Sequence, residues 1–138
     1  MRDDTELDTF NKLPWHDARL LRIVIEANSH GGHNIFFEVE FVAGQAASIL
    51  TLVDCTIVQM DLDLDAKTVC GDSIWSAVCN RDTPLKRTLT DGRLASESNP
   101  LKDYLHFRIT FIPTGGEINA FAKGYELLES SQLGLGTR

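Results

Sequence analysis

Apolar and polar residues alternate along six parts of the chain, and this period of two predicts β-strands with one buried face. The six parts are residues 18–26, 35–42, 47–54, 56–64, 105–112 and 118–125. Neither glycine nor proline separates the third part from the fourth near residue 54, so these two could equally be one bent or bulged strand. The side chains expected to face the core are Leu21, Ile23, Ile25, Ile35, Phe37, Val39, Phe41, Val58, Met60, Leu62, Leu64, Leu105, Phe107, Ile109, Phe111, Ile118, Ala120 and Ala122.

Most turns between these strands are short, and short turns indicate antiparallel neighbours, because a parallel pair needs a crossover of about a dozen residues. The turns fall at residues 28–32, 43–45 and 113–116, each of which contains glycine. We therefore predict a mainly β (or α+β) protein, either an antiparallel β-sandwich or a strongly curved antiparallel sheet, with at most one or two short helices. Residues 1–138 are expected to form one domain, with a four-strand meander over 14–64 and a C-terminal hairpin over 104–129.

The remaining parts of the chain do not alternate. Leu7, Phe10 and Leu13 lie three residues apart, which predicts a short amphipathic helix or arm within residues 1–13 that ends before Pro14. Residues 65–103 form an irregular segment, which could contain a helical turn at 65–70 and a short strand at 74–78 but is mostly loop over 83–100. Residues 130–138 are expected to be a tail.

The chain has 138 residues, a formal net charge of −7 and an isoelectric point near 4.9. Such an acidic surface argues against nucleic-acid binding, which depends on lysine and arginine neutralising phosphates. No stretch approaches the roughly 20 apolar residues that span a bilayer, and the acidic start lacks the apolar segment of a secretory signal. We therefore expect a cytoplasmic protein without a membrane partner, and its odd number of three cysteines favours reduced thiols.

The segment Trp15–His16–Asp17 follows the proline and precedes the first strand. Histidine and aspartate in sequence can share a hydrogen bond, so His16 and Asp17 could form a polar pocket or a metal site in a small metal-binding protein or enzyme. Alternatively the segment is a structural corner, in which Trp15 packs on the core and Asp17 caps a turn.

Other candidate chemistry is weaker. No common catalytic motif is present, which favours a non-catalytic protein over an enzyme, and no cofactor is predicted. His30 and His33 flank two glycines but have no third zinc ligand nearby, which favours a solvated turn. Asp61, Asp63 and Asp65 lack the glycine and glutamate of a calcium loop, which favours a solvated acidic strand face. No metal site is predicted.

The outward positions of the C-terminal hairpin form a basic and partly aromatic patch on an otherwise acidic protein. Such a patch could be a surface for a ligand or a partner. Alternatively, Phe121 is covered by the segment over residues 65–103. The patch consists of His106, Arg108, Thr110, Asn119, Phe121 and Lys123.

The stretch Leu13-Pro14-Trp15-His16-Asp17-Ala18, with the alternating strand behind it, resembles the beginning of small bacterial proteins that carry an LPWHD-type segment. Residues 122–126, Ala-Lys-Gly-Tyr-Glu, are similar to the closing strand of such proteins. Some small acidic β-rich proteins of this kind act as immunity proteins in toxin systems, and the resemblance implies that role. It covers two short stretches and assigns a function to no individual residue.

We therefore expect a non-catalytic protein-binding module, of the immunity type that neutralises a toxin. An acidic surface attracts a basic partner and speeds its association. The acidic groups expected to contribute are Glu38, Glu40, Asp61 and Asp63. A homodimer with Phe36 at its contact is a further alternative.

Overall fold

A computed structural model of the protein describes residues 5–29, 31–42, 44–62, 73–93, 101–112 and 115–129. Its elements, in chain order, are α1 (Thr5–Asn11), β1 (Arg19–Ala27), β2 (His33–Glu40), β3 (Ser48–Cys55), β4 (Ile57–Asp61), β5 (Ser73–Asn80), α2 (Pro84–Arg93), β6 (Leu105–Ile112), β7 (Glu117–Ala122) and β8 (Gly124–Glu129). Neither helix has the length or the apolar character needed to cross a lipid bilayer, as far as the chain is described.

All eight described strands belong to one antiparallel sheet, in the order β4-β7-β6-β5-β1-β2-β3-β8. The predicted antiparallel β class is therefore confirmed, in its curved-sheet form rather than as a two-sheet sandwich. The junction between β5 and β1 is narrow, because only Arg19 and Ser73 pair across it. No other described residues of β1 and β5 are paired with each other, so the sheet is not continuous along the rest of these two strands.

The chain bends between β3 and β4. β3 and β4 are separated only by Thr56, and they pair with β8 and β7 respectively. Asp54 has a φ of 54°, in the left-handed region, which marks the bend. Hydrogen bonds from Thr56 N to the Phe121 carbonyl and from Lys123 N to the Val53 carbonyl carry the ladder across it. β3 and β4 are thus two strands that meet at a bend near residue 54, which corresponds to the predicted division into residues 47–54 and 56–64.

The inward residues of β2, β6 and β7 are buried as their alternation predicted. Three residues expected in the core, Leu21, Ile25 and Met60, are instead exposed. Leu21 lies at a register shift between Leu20 and Arg22, so that Leu20 and Ile23 pack on the core. Ile25 lies on the part of β1 that does not pair with β5, and Met60 lies on an edge strand. Leu64 lies outside the described residues.

Helix α1 confirms the predicted N-terminal helix and packs on the core through Leu7 and Phe10. The Phe10 ring meets the rings of Phe107 and Tyr125 at centroid distances of 5.2 and 5.1 Å. At the end of α1, Asn11 accepts a hydrogen bond from Cys79 N at 2.7 Å and donates one to the Cys79 carbonyl at 3.1 Å. These two bonds substitute for a strand partner on that side of β5.

Helix α2 corrects the prediction that residues 83–100 are mostly loop. Thr83 caps the helix by accepting a hydrogen bond from Lys86 N at 3.2 Å, and Pro84 occupies the first helical position, where no N–H is needed. The buried Lys86 ammonium donates to the carbonyls of Arg81 and Tyr104, at 2.6 and 2.8 Å. The predicted short strand at 74–78 is part of β5, whereas the expected turn at 65–70 and tail at 130–138 lie outside the described residues.

Candidate binding face

The outward side chains of β5, β6, β7 and β4 form one surface, which we call the outer face. The strand register aligns them in three rows that cross all four strands. Side chains directly opposite each other on neighbouring strands lie close enough to interact. The rows are Asn80, His106, Phe121 and Ile57; then Val78, Arg108, Asn119 and Gln59; then Ser76, Thr110, Glu117 and Asp61.

A chain of hydrogen bonds runs beneath and along this face. His106 is only 5% exposed, and its Nδ1 lies 2.7 Å from Thr83 Oγ1 while its Nε2 lies 2.7 Å from Asn119 Oδ1. Asn119 donates through Nδ2 to Glu117 Oε2 at 2.5 Å, and Arg108 donates to the other oxygen of that carboxylate at 3.0 Å. The network thus connects the loop before α2 to β6 and β7.

The environment of the network shifts two pKa values. Burial is the main reason that the pKa of His106 is lowered, and the positive charges of Arg108 and Lys86 act in the same direction. The hydrogen bond from Arg108, followed by the one from Asn119, lowers the pKa of the Glu117 carboxyl. His106 is therefore neutral and Glu117 ionised at neutral pH.

Two depressions open on the outer face. The larger, of about 430 Å³, lies between the start of α2 and the sheet, with Thr83, Pro84 and Leu85 on one side and Val78 and His106 among the residues opposite. The smaller, of about 270 Å³, lies between β4 and β7 and includes Asp61 and Met60 in its lining. Glu117 and Asn119 line both, so the two depressions share a wall.

Trp75 is the most exposed large hydrophobic residue in the described part of the chain, at 54%. It lies at a register shift between Ile74 and Ser76, where the extra residue has no partner on β6. The His16 ring stands edge to face with the Trp75 ring at 4.9 Å, and His16 Nε2 lies 3.7 Å from Asp17 Oδ2. These three residues, which we call the Trp75 corner, lie beside the third row of the outer face.

The segment Trp15–His16–Asp17 divides into one core residue and two surface residues. Trp15 is 3% exposed, and its indole N–H donates to the Phe10 carbonyl at 2.8 Å. Asp17, with a φ of 70°, donates its backbone N–H to the Ile74 carbonyl and so joins the corner to β5. Among the described residues, no three histidine, cysteine, aspartate or glutamate side chains are grouped so that they could hold a metal ion.

Several predicted site residues meet on one surface. His16, Asp17, Asp61 and Arg108 lie on or beside the outer face, and His106 and Phe121 are buried members of its first row. The Phe121 ring stacks on His106 at 4.6 Å and is 1% exposed, so Phe121 is buried and is not part of an open patch.

Glu38 and Glu40 lie away from the outer face and pair with Arg22 and Arg19, at 3.4 and 3.7 Å. Phe36 is half-buried between Val24 and Thr51 on the same part of the sheet. Asp63, Asp65 and His30 lie outside the described residues, and His33 is exposed.

Trp75, Thr83 and Glu117 also belong to this surface, although the sequence pattern did not predict them. A bulge has no signature in the alternation of side chains, so nothing in residues 73–80 indicated that Trp75 turns outward. Thr83 was detectable, because Thr-Pro is a helix-start signal. Glu117 was detectable as the next outward position on β7 before Asn119.

No family model matches the chain, and neither a curated protein nor a solved structure matches it.

Proposed function

We propose that this chain is a non-catalytic protein-binding module, of the immunity type that neutralises a toxin, and that it binds its partner through the outer face and the Trp75 corner. The observation that carries the proposal is Trp75, a large aromatic side chain that a bulge holds at the surface, 54% exposed. Exposed tryptophan is uncommon, and tryptophan is among the residues that most often dominate protein–protein binding energy.

The surroundings of Trp75 support a protein partner. Protein interfaces combine a few apolar anchors with arginine and a polar rim. Val78 is a second exposed apolar side chain on β5, and Arg108 stands opposite it on β6. The depression of about 430 Å³ beside them offers a recess for a partner side chain.

Rigidity and charge support the same proposal. The hydrogen bonds of His106 and Asn119 fix the floor of the recess before any partner arrives, which reduces the entropy lost on binding. The chain carries a net charge of −7, with Asp17, Asp61 and Glu117 on or beside the outer face. This charge favours association with a basic partner.

The test is affinity capture from a lysate of the source organism with three immobilised baits. They are the unaltered chain, Trp75→Ala and Leu128→Ala; Leu128 is an exposed apolar residue on β8, away from the outer face. We expect a protein that the first and third baits capture and the second does not. With that protein purified, Trp75→Ala is expected to weaken binding by roughly 30-fold, the effect of an interface hot spot of about 2 kcal/mol.

The immunity-type role is tested separately by growth. Cells that produce the captured protein should stop growing, and co-production of the unaltered chain should restore growth where Trp75→Ala does not. A partner that binds Trp75→Ala as tightly as the unaltered chain, or no captured protein that depends on Trp75, would refute the proposed face.

A further inference from the structure

We propose that His106 is a proton-controlled latch between α2 and the sheet. Neutral His106 holds the start of α2 on the outer face through Thr83, and protonation of His106 loosens that contact. The latch is a property of this chain alone, whereas its effect on partner binding rests on the proposed function.

The hydrogen-bond partners determine which ring nitrogen carries the proton. Asn119 turns its Nδ2 toward Glu117, so its Oδ1 faces His106 and must accept the proton of Nε2. In neutral imidazole the other nitrogen, Nδ1, is then an acceptor, and the Thr83 hydroxyl donates to it. The oxygen lone pairs of Thr83 are left for Lys86 N, so one hydroxyl both caps α2 and attaches it to β6.

Protonation reverses the polarity of this contact. A proton on Nδ1 makes it a donor, and Thr83 Oγ1 must then accept from both His106 and Lys86 N while its own proton turns elsewhere. The new positive charge is buried and stacked on Phe121. The charged groups around His106 are Arg108 on β6, Lys86 on α2 and Glu117 on β7, so two like charges face one opposite charge.

The movement is confined to the wall of the larger depression. Lys86 keeps its two bonds to the carbonyls of Arg81 and Tyr104, which do not depend on His106. Helix α2 therefore stays attached through Lys86, while Thr83, Pro84 and Leu85 lose their fixed distance from the sheet. These three residues line the recess that the proposed function assigns to a partner.

The direction of the pH effect follows from linkage. Burial lowers the pKa of His106 in the docked state, so the released state binds a proton more readily. Docking is complete above the ordinary histidine pKa of about 6.5 and weakens as the pH falls below it. Each unit by which release raises the pKa corresponds to a tenfold change in the docking equilibrium.

The test follows the backbone amide of Lys86 and the imidazole of His106 by NMR in the full chain between pH 7.5 and 5. We expect both to change with one midpoint, below 6.5, because Lys86 N shares Thr83 Oγ1 with His106. His33→Gln, at an exposed histidine on β2, should leave this titration unchanged. Both His106→Gln and Thr83→Val should abolish the shift of the Lys86 amide, and the second variant retains the histidine.

The latch is refuted if the Lys86 amide stays constant while His106 titrates, or if it still titrates in Thr83→Val. It is also refuted if the midpoint of His106 lies at or above 6.5. A purified partner provides a separate readout. If the two resonances titrate together but partner affinity is equal at pH 7.5 and 5.5, the latch stands and its coupling to binding is wrong. If no partner depends on Trp75, the proposed function fails and the latch is judged by the titration alone.

Discussion

The two tryptophans of this chain form a matched pair for testing the division between core and binding surface. Trp15 is 3% exposed, and its ring lies 4.8 Å from that of Phe10 and 5.0 Å from that of Phe41. Trp75 is 54% exposed, and its only described ring contact is with His16. Truncation of Trp15 should therefore lower the free energy of unfolding, and truncation of Trp75 should weaken partner binding.

The expected magnitudes follow from these contacts. Trp15→Ala removes a fully packed indole and should lower the free energy of unfolding by about 3–5 kcal/mol. Trp15→Phe keeps an aromatic ring but loses the hydrogen bond to the Phe10 carbonyl. That carbonyl retains a second donor, Leu13 N at 3.2 Å, so we expect a cost of about 1 kcal/mol from the lost bond. Trp75→Ala should change stability by no more than about 0.5 kcal/mol.

Urea denaturation followed by far-ultraviolet circular dichroism measures all three variants without depending on tryptophan fluorescence. With a denaturant slope of about 2 kcal/mol per molar, Trp15→Ala should lower the unfolding midpoint by about 2 M, and Trp75→Ala by about 0.2 M or less. The assignment of Trp15 to a structural corner is wrong if its truncation costs under about 1 kcal/mol, or if Trp75→Ala is as destabilising as Trp15→Ala.

Three further outcomes are expected. Asn11→Ala should lower the free energy of unfolding by about 1–3 kcal/mol in the urea assay, because the backbone N–H and carbonyl of Cys79 both lose their partner. An unchanged unfolding midpoint would contradict the role of α1 at the edge of β5. Gly116→Ala should lower the free energy of unfolding by about 1–3 kcal/mol, because an added Cβ would lie 2.8 Å from the Asp61 carbonyl oxygen. An unchanged melting temperature would show that β4 shifts to accommodate the added methyl group. Burial raises the pKa of the Cys55 thiol to about 11 and that of Cys79 to about 12. Iodoacetamide at pH 8 should therefore label the native chain more slowly than the unfolded chain, by roughly a hundredfold at Cys55 and roughly a thousandfold at Cys79, as scored by peptide mass spectrometry.

The sequence predicted best those strands in which every residue of one face is buried in the core. Phe37 and Val39 alternate with Glu38 and Glu40 because β2 lies inside the sheet, with one face on the core. Strand β1 obeys the same rule only in part, because the extra residue at Leu21 inverts the alternation and the periodicity itself does not reveal the insertion. At the edge of the sheet, Met60 has an inward position in the pattern but no neighbouring strand to cover it.

The candidate site was predictable to the extent that it lies within a hairpin. His106 and Arg108 share an outward face because side chains alternate along β6, and the antiparallel pairing of β6 with β7 adds Asn119 and Phe121 to the same face. The sequence left the burial of Phe121 open, because the alternation assigns Phe121 to the outward face but does not show what covers that face. The outward turn of Trp75 depends on a bulge, which only the pairing of β5 with β6 defines.

The first helix and the last described strand depend on each other, which has a consequence for folding during synthesis. Tyr125 on β8 donates its hydroxyl to the Glu6 carbonyl at 2.9 Å, and its ring packs on Phe10. The same strand supplies the outer neighbour of β3. A ribosome-bound chain that has not yet released residue 129 therefore has an exposed edge along β3 and an uncovered aromatic cluster at α1. Such a nascent chain is open to aggregation until β8 emerges, and the long sequence separation of these contacts makes their closure slow.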